Sequence, residues 1–139
     1  MANALFDLGK EGFLLGEIDF DTATIKAALV RGYTPNTTTH KFMSDVTGAG
    51  GTVVATGTLA SKTGTLGVAD GADFSFTAVA AGAACNHIVL YQSSAVGGGV
   101  DVAEGAQRVI AVYDDGGLPV TPNGEDIDVT VDVSGLFEI

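Results

Sequence analysis

Apolar and polar residues alternate along much of the chain, which is the pattern of half-buried β-strands. After residue 50, five segments bounded by glycine-rich or acidic turns are predicted to be strands: 52–60, 73–80, 86–92, 107–114 and 126–133. An earlier stretch, EIDFDTATIKAALV at 17–30, predicts two short strands or one kinked strand. Many short strands separated by tight turns predict an all-β fold, specifically an antiparallel β-sandwich of jelly-roll type.

The segment 126–133 has an unusually regular pattern. Its apolar residues fall on one face with period two, and its acidic residues fall on the other. The apolar face consists of Ile127, Val129, Val131 and Val133. We therefore predict a half-buried strand with an acidic solvent face, followed by a last short strand at Phe137 and Ile139.

The N-terminal residues 1–16 predict a helical segment attached to a single β domain that spans 1–139. The predicted helix covers Ala4 to Leu14 and is capped by Asn3. Its three glycines at 9, 12 and 16 are expected to cost about 1 kcal/mol each relative to alanine, so the helix must dock against the sheet or a neighbouring subunit. A single helical turn is also expected within 39–46.

The net charge of −11, from 17 acidic and 6 basic residues, limits the partners that this chain can have. Direct binding to nucleic acid needs a basic patch, and an anionic membrane surface repels an acidic protein. The sequence also contains no recognisable secretion signal and no apolar run long enough to span a membrane. We therefore expect no direct nucleic-acid or membrane partner, and synthesis in a cytoplasm.

Candidate chemistry is sparse. Cys85 and His87 could share one face of a strand and bind zinc with a distant carboxylate, whereas His40 lies in a separate loop. Acidic turns offer oxygen ligands for calcium at Asp70 and Asp73, at Asp114 and Asp115, and at Glu125, Asp126 and Asp128. Asp and Gly are also the ordinary residues of tight turns, and turn chemistry is the favoured explanation of these carboxylates. No nucleophile motif or phosphate-binding loop is present, and the absence of Trp disfavours a carbohydrate cleft, so we expect no enzymatic activity, no cofactor and no metal.

Three parts of the chain resemble a group of small virion proteins from tailed bacteriophages. The first is MANALFDLGKEGFLLGEIDFDTATIKAALV at 1–30, with its opening M-A-N-x-L and its aromatic-D-T-x-T-I-K strand. The second is GVADGADFSFTAV at 67–79, and the third is LPVTPNGEDIDVTVDVSGLFEI at 118–139. The resemblance thus covers both ends and the centre of the chain.

The resemblance implies a non-enzymatic structural component of the virion, made in the bacterial host cytoplasm. The favoured role is a capsid decoration (cement) protein on the capsid exterior, which binds the lattice of the major capsid protein and stabilises the head, as a homo-oligomer (trimer or dimer). The alternative is a tail, fibre or baseplate component, including a glycan-binding module. The residues expected at the capsid-facing or subunit-facing interface are Leu5, Phe6, Phe13 and Leu14, because so short a helix does not need them all for itself. The alternative is that the helix simply closes one end of the sandwich.

Overall fold

The computed structural model describes residues 3–139 and gives a mainly β protein with antiparallel sheets and few helices. Its strands and helices, in chain order, are β1 Ala4–Leu5, α1 Asp7–Leu14, β2 Ile25–Arg31, α2 Met43–Gly48, β3 Thr52–Thr58, β4 Thr63–Thr65, β5 Val68–Asp70, β6 Phe74–Phe76, β7 His87–Gln92, β8 Arg108–Tyr113, β9 Ile127–Val129 and β10 Phe137–Glu138. A short 3-10 helix, Glu104–Ala106, precedes β8.

Three sheets organise these strands. The main sheet has five strands in the order β1-β8-β7-β2-β3, a second has the order β10-β5-β4, and a third pairs β6 with β9. Every pairing is antiparallel. The main sheet therefore joins the N-terminal strand to strands from the middle of the chain.

Both faces of the main sheet are apolar, and the two faces form separate clusters of buried residues. On one face, which we call the first core, Leu29 and Leu90 pack with Phe76 and Cys85. On the other face, the second core, Val30 and Val89 pack with residues from outside the sheet, among them Phe6, Tyr33, Met43 and Val46. Burial on both faces explains why β2, β7 and β8 read as nearly continuous apolar runs rather than as strict alternation.

The predicted N-terminal helix is too long and its predicted cap is wrong. Residues Ala4–Leu5 are a strand paired with β8, and α1 begins only at Asp7, with Phe6 at the N-cap position and no side-chain cap. Asn3 instead donates a hydrogen bond to Asp115 Oδ1 (2.9 Å) and accepts one from the Asp114 N–H (3.0 Å). Pairing with β8 takes precedence over the weak local preference for helix.

Two predicted strands are shorter than the sequence suggested. The strand predicted over 73–80 ends at Phe76, just before Ala78 turns into the left-handed region at φ 47°. The strand predicted over 126–133 ends at Val129, and Val133 is fully exposed. No strand forms over 17–21 because Asp19 Oδ1 accepts hydrogen bonds from the Asp21 and Thr22 N–H groups, which closes a turn.

One hairpin was not predicted at all. Thr65 pairs with Val68 across a two-residue loop in which Leu66 and Gly67 have φ of 53° and 82°. Two positive φ values are the signature of a tight hairpin turn that normally carries Asn-Gly or Asp-Gly. Because leucine occupies the first position of the turn, the residue types did not predict it.

Candidate functional site

The four apolar residues predicted at an interface do not share one exposed face. Phe6 is completely buried in the second core. Leu5 and Phe13 are half-buried, and the Phe13 ring lies 5.8 Å from the ring of Phe137. Only Leu14 is largely exposed, at 85%. Phe6 is therefore part of the second core. Of the four predicted residues, Leu14 is the one that lies at the surface.

Leu14 has an exposed apolar neighbour that the sequence analysis did not single out. Leu15, directly after the end of α1, is 63% exposed. We call Leu14 and Leu15 the leucine pair. Single exposed apolar residues are normal on protein surfaces, and these two differ only in being adjacent, at the end of a helix.

Two glycines allow α1 to lie directly against β8. A Cβ atom on Gly9 would lie 2.8 Å from the carbonyl oxygen of Val109, and one on Gly12 would lie 2.7 Å from Arg108 Nη2. Both distances are shorter than van der Waals contact, so a larger residue at position 9 would push the helix away from the β8 backbone, and one at position 12 would displace the Arg108 and Ile18 side chains. The glycines that weaken the isolated helix are thus the residues that let it dock.

The Arg108 side chain also connects β8 to α1. Its side chain is 4% exposed, forms an ion pair with Glu17 and donates to the carbonyl oxygen of Leu8 in α1. Its guanidinium also lies 5.7 Å from the ring centroid of Phe42. Burial lowers the pKa of Arg108, while the nearby Glu11 carboxylate acts in the opposite direction. Arg108 therefore fixes the position of α1, and with it the leucine pair.

A cleft of about 330 Å³ opens beside this ion pair, lined by residues that include Glu17, Phe42, Ser94, Val96 and Arg108. Its buried hydroxyl is already engaged, because Ser94 accepts a hydrogen bond from the Thr24 N–H and donates one to the Ala95 carbonyl. The guanidinium is likewise bound to Glu17 and Leu8. The Ser94 hydroxyl and both Nη atoms of Arg108 are therefore committed to the chain's own structure, whereas Arg108 Nε is buried without a hydrogen-bond partner among residues 3–139.

The two histidines, which lie far apart in sequence, meet at one tyrosine. The Tyr33 hydroxyl lies 2.6 Å from His40 Nδ1, the His40 ring stacks on Tyr33, and the His87 ring meets Tyr33 edge-on at 5.8 Å. Burial, aided by Asp45, raises the pKa of Tyr33, so its hydroxyl stays protonated at neutral pH. Burial lowers the pKa of His87, so its ring binds a proton less readily than a solvent-exposed histidine does. Sequence reasoning missed this cluster because His87 reaches Tyr33 only through the pairing of β2 with β7.

The candidate zinc ligands do not come together. Cys85 is buried in the first core, whereas His87 contacts Tyr33 of the second core, so the two side chains lie on opposite sides of the main sheet. Cys85 precedes β7 and pairs instead with Val120 through an isolated bridge. The predicted shared strand face is therefore wrong.

Five of the seven candidate calcium ligands accept hydrogen bonds from within the part of the chain that the structure describes, three of them from backbone N–H groups and two, Asp115 and Asp128, from side chains. Asp70 accepts from Gly71, Asp73 from Val131 and Asp126 from Ala78, while Asp128 accepts from the Ser75 hydroxyl. Across residues 3–139, no three side chains of the His, Cys, Asp or Glu type are grouped in a way that could hold a metal ion. The carboxylates of this region thus close turns and strand ends.

No family model, curated protein or solved structure matches the chain. Among the helices of the described part, residues 3–139, none is long and apolar enough to cross a bilayer.

Proposed function

We propose that the protein is a non-enzymatic structural component of a tailed-phage virion, and specifically a decoration protein on the capsid exterior. In this role it binds the lattice of the major capsid protein. We propose that it does so as an antiparallel β-sandwich in which β6 and β9 lie over the first-core face of the main sheet. Gly57 of β3 supports that arrangement, because a Cβ there would lie 2.9 Å from the Phe74 ring of β6.

The observation that carries the proposal is the meeting of the three phage-like segments at one residue. The Phe137 ring, from the C-terminal segment, lies 5.8 Å from Phe13 and 5.6 Å from Phe20 of the N-terminal segment. In the strand register, Phe137 pairs with Ala69 of the central segment. Segments that resemble one protein group only in sequence therefore build one contiguous unit, which is what a shared structural origin would produce.

The leucine pair is the proposed contact with the capsid. It lies at the C-terminal end of α1, which packs against the main sheet through Gly9 and is bonded to Arg108 through the Leu8 carbonyl. A small apolar projection on a strongly acidic protein can enter an apolar pocket on the capsid while the charge keeps free copies apart in solution.

The test begins with virions of the phage whose genome encodes this chain. The proposal expects the protein in purified particles, hundreds of copies per virion by protein staining, and a regular density over the shell in electron micrographs. Density confined to the tail would reject the decoration role and favour the alternative, a tail, fibre or baseplate component. Absence from the particles would reject both.

The contact is tested separately with the double variant Leu14→Asp/Leu15→Asp. Deleting residues 1–16 would be a poor test, because it removes Phe6 from the second core and β1 from the main sheet. Leu66→Asp is the matched control, since Leu66 is 95% exposed in the β4–β5 turn. The double variant should fail to bind capsids, whereas the control should bind as the wild type does. Equal binding of the two would rule out the leucine pair as the capsid contact.

A further inference from the structure

Strand β3 is an open edge of the main sheet. It carries the sequence TVVATGT and lies last in the strand order. Within residues 3–139, its backbone hydrogen bonds all go to β2 on its inner side. Four of its seven residues are exposed. The outer side of the strand therefore presents unsatisfied backbone groups to solvent.

The strand register identifies which groups point outward. The Leu59 N–H donates to the Ile25 carbonyl (2.9 Å), so these residues form a hydrogen-bonded pair immediately beside the Lys26–Thr58 pair. Hydrogen-bonded and non-hydrogen-bonded pairs alternate along antiparallel strands. Gly57 consequently bonds inward to β2, whereas Thr56 and Thr58 direct their N–H and C=O groups to the open edge.

The edge lacks two of the usual protections against pairing, although a β-bulge at Val54 interrupts its register with β2 between the Leu29–Ala55 and Val30–Val53 pairs. It has no charged side chain and no proline, although the chain as a whole has 17 acidic residues. The nearest charges in register are basic, since Lys26 and Arg31 of β2 pair with Thr58 and Thr52. Two copies can therefore approach along β3 without placing carboxylates opposite one another.

The covering strand β6 leaves this edge accessible. Gly57 pairs with Ala27, which faces the first core, and the Phe74 ring lies over Gly57 on that same side. The contact with β6 is therefore made on the face of the sheet and not along its outer edge.

We propose that β3 pairs with β3 of a second copy, antiparallel and about a two-fold axis, to form one continuous sheet through both subunits. A pairing centred on Thr56 sets Thr56 opposite its own counterpart and Ala55 opposite Gly57. The outward N–H and C=O groups then satisfy each other, and the threonines form a favourable cross-strand pair. The dimer rests on the edge alone, so it can be tested without any virion.

The first experiment measures mass in solution by sedimentation or light scattering over a concentration series. The wild type should approach about twice the 14.0 kDa of one chain. Thr56→Lys, which places a charge on the edge, should stay at the mass of one chain. Thr121→Lys is the control with the same charge change at an exposed position outside the strands, and it should dimerise as the wild type does. A monomeric wild type, or a Thr56→Lys protein that still dimerises, overturns the proposal.

Amide hydrogen exchange of the wild type by NMR gives a second measurement that needs no variant. Protection of the Thr56 and Thr58 amides should rise about tenfold or more between dilute and concentrated samples, while Gly57 stays protected in both. Unchanged exchange at Thr56 and Thr58 across a range in which the mass doubles would place the contact elsewhere.

Thr56→Pro removes only an outward donor and should abolish the dimer while Gly57 remains protected.

Discussion

The carboxylate of Asp126 accepts a hydrogen bond from the backbone N–H of Ala78 at 2.7 Å. Asp126 lies just before β9, and Ala78 lies just after β6. The other end of the same two-stranded sheet has the reverse arrangement, because Asp73, just before β6, accepts from the N–H of Val131, just after β9 (2.8 Å). These crossed carboxylate bonds close a sheet of only three residues per strand, which would be marginal alone.

Removing one crossed carboxylate bond should loosen this sheet. We expect Asp126→Ala to lower the free energy of unfolding by about 1 kcal/mol, because the Ala78 N–H loses its acceptor. Asp126→Asn keeps an oxygen acceptor and should cost less than half as much. Urea denaturation measures both, and equal losses for the two variants would show that the hydrogen bond is not the stabilising element.

The close approach of α1 to β8 predicts a different response for two helical glycines. Gly9→Ala should destabilise the protein by about 1–3 kcal/mol, because the new Cβ meets the Val109 carbonyl. Gly48→Ala, in α2, has open space around its Cβ and should be neutral or stabilising by up to about 1 kcal/mol. Thermal unfolding of the two variants side by side checks this, and a stable Gly9→Ala protein would contradict the docking geometry.

Strand glycines offer a parallel test of the proposed sandwich. Gly57→Ala forces the Phe74 ring of β6 to move and should cost about 1–2 kcal/mol. Gly64→Ala, in β4, has nothing within contact distance and serves as the control. If both substitutions are tolerated equally in chemical denaturation, β6 does not lie over β3.

The Tyr33 cluster predicts a pH dependence of stability. Burial holds the pKa of His87 below its ordinary value of 6.5, so the unfolded chain binds a proton more readily than the folded one. The corresponding stability is complete above pH 6.5 and is lost as the pH falls from there through the folded pKa. The carboxylates with lowered pKa, such as Asp45, lose their contribution only further into acid, below 3.8.

His87→Leu should flatten that dependence. Leucine cannot be protonated, and His87 Nδ1 has no hydrogen-bond partner to lose, so the variant should fold. Urea unfolding from about pH 7 to about pH 5 should show a smaller loss of stability than in the wild type. A variant that loses stability as steeply as the wild type would assign the effect to another group.

The mainly β character could be predicted from the sequence because β2, β7 and β8 are long apolar runs whose burial on two faces leaves few alternatives. Shorter elements depended on tertiary context. The turn at Leu66 and Gly67 is imposed by the pairing of β4 with β5, and Asn3 binds Asp115 instead of capping a helix. The meeting of His40 and His87 at Tyr33, and the burial of Phe6, likewise arise from packing between distant segments, which no local pattern encodes.

The contacts of Phe137 with Phe13 and Phe20 also determine when this chain can complete its fold during synthesis. Residues 13 and 20 leave the ribosome early, yet their partner emerges more than a hundred residues later. Strand β1 likewise cannot pair until β8 has been synthesised. The nascent N-terminal segment therefore lacks these contacts while the intervening residues are synthesised, and we expect folding at the slow rates typical of proteins dominated by non-local pairing.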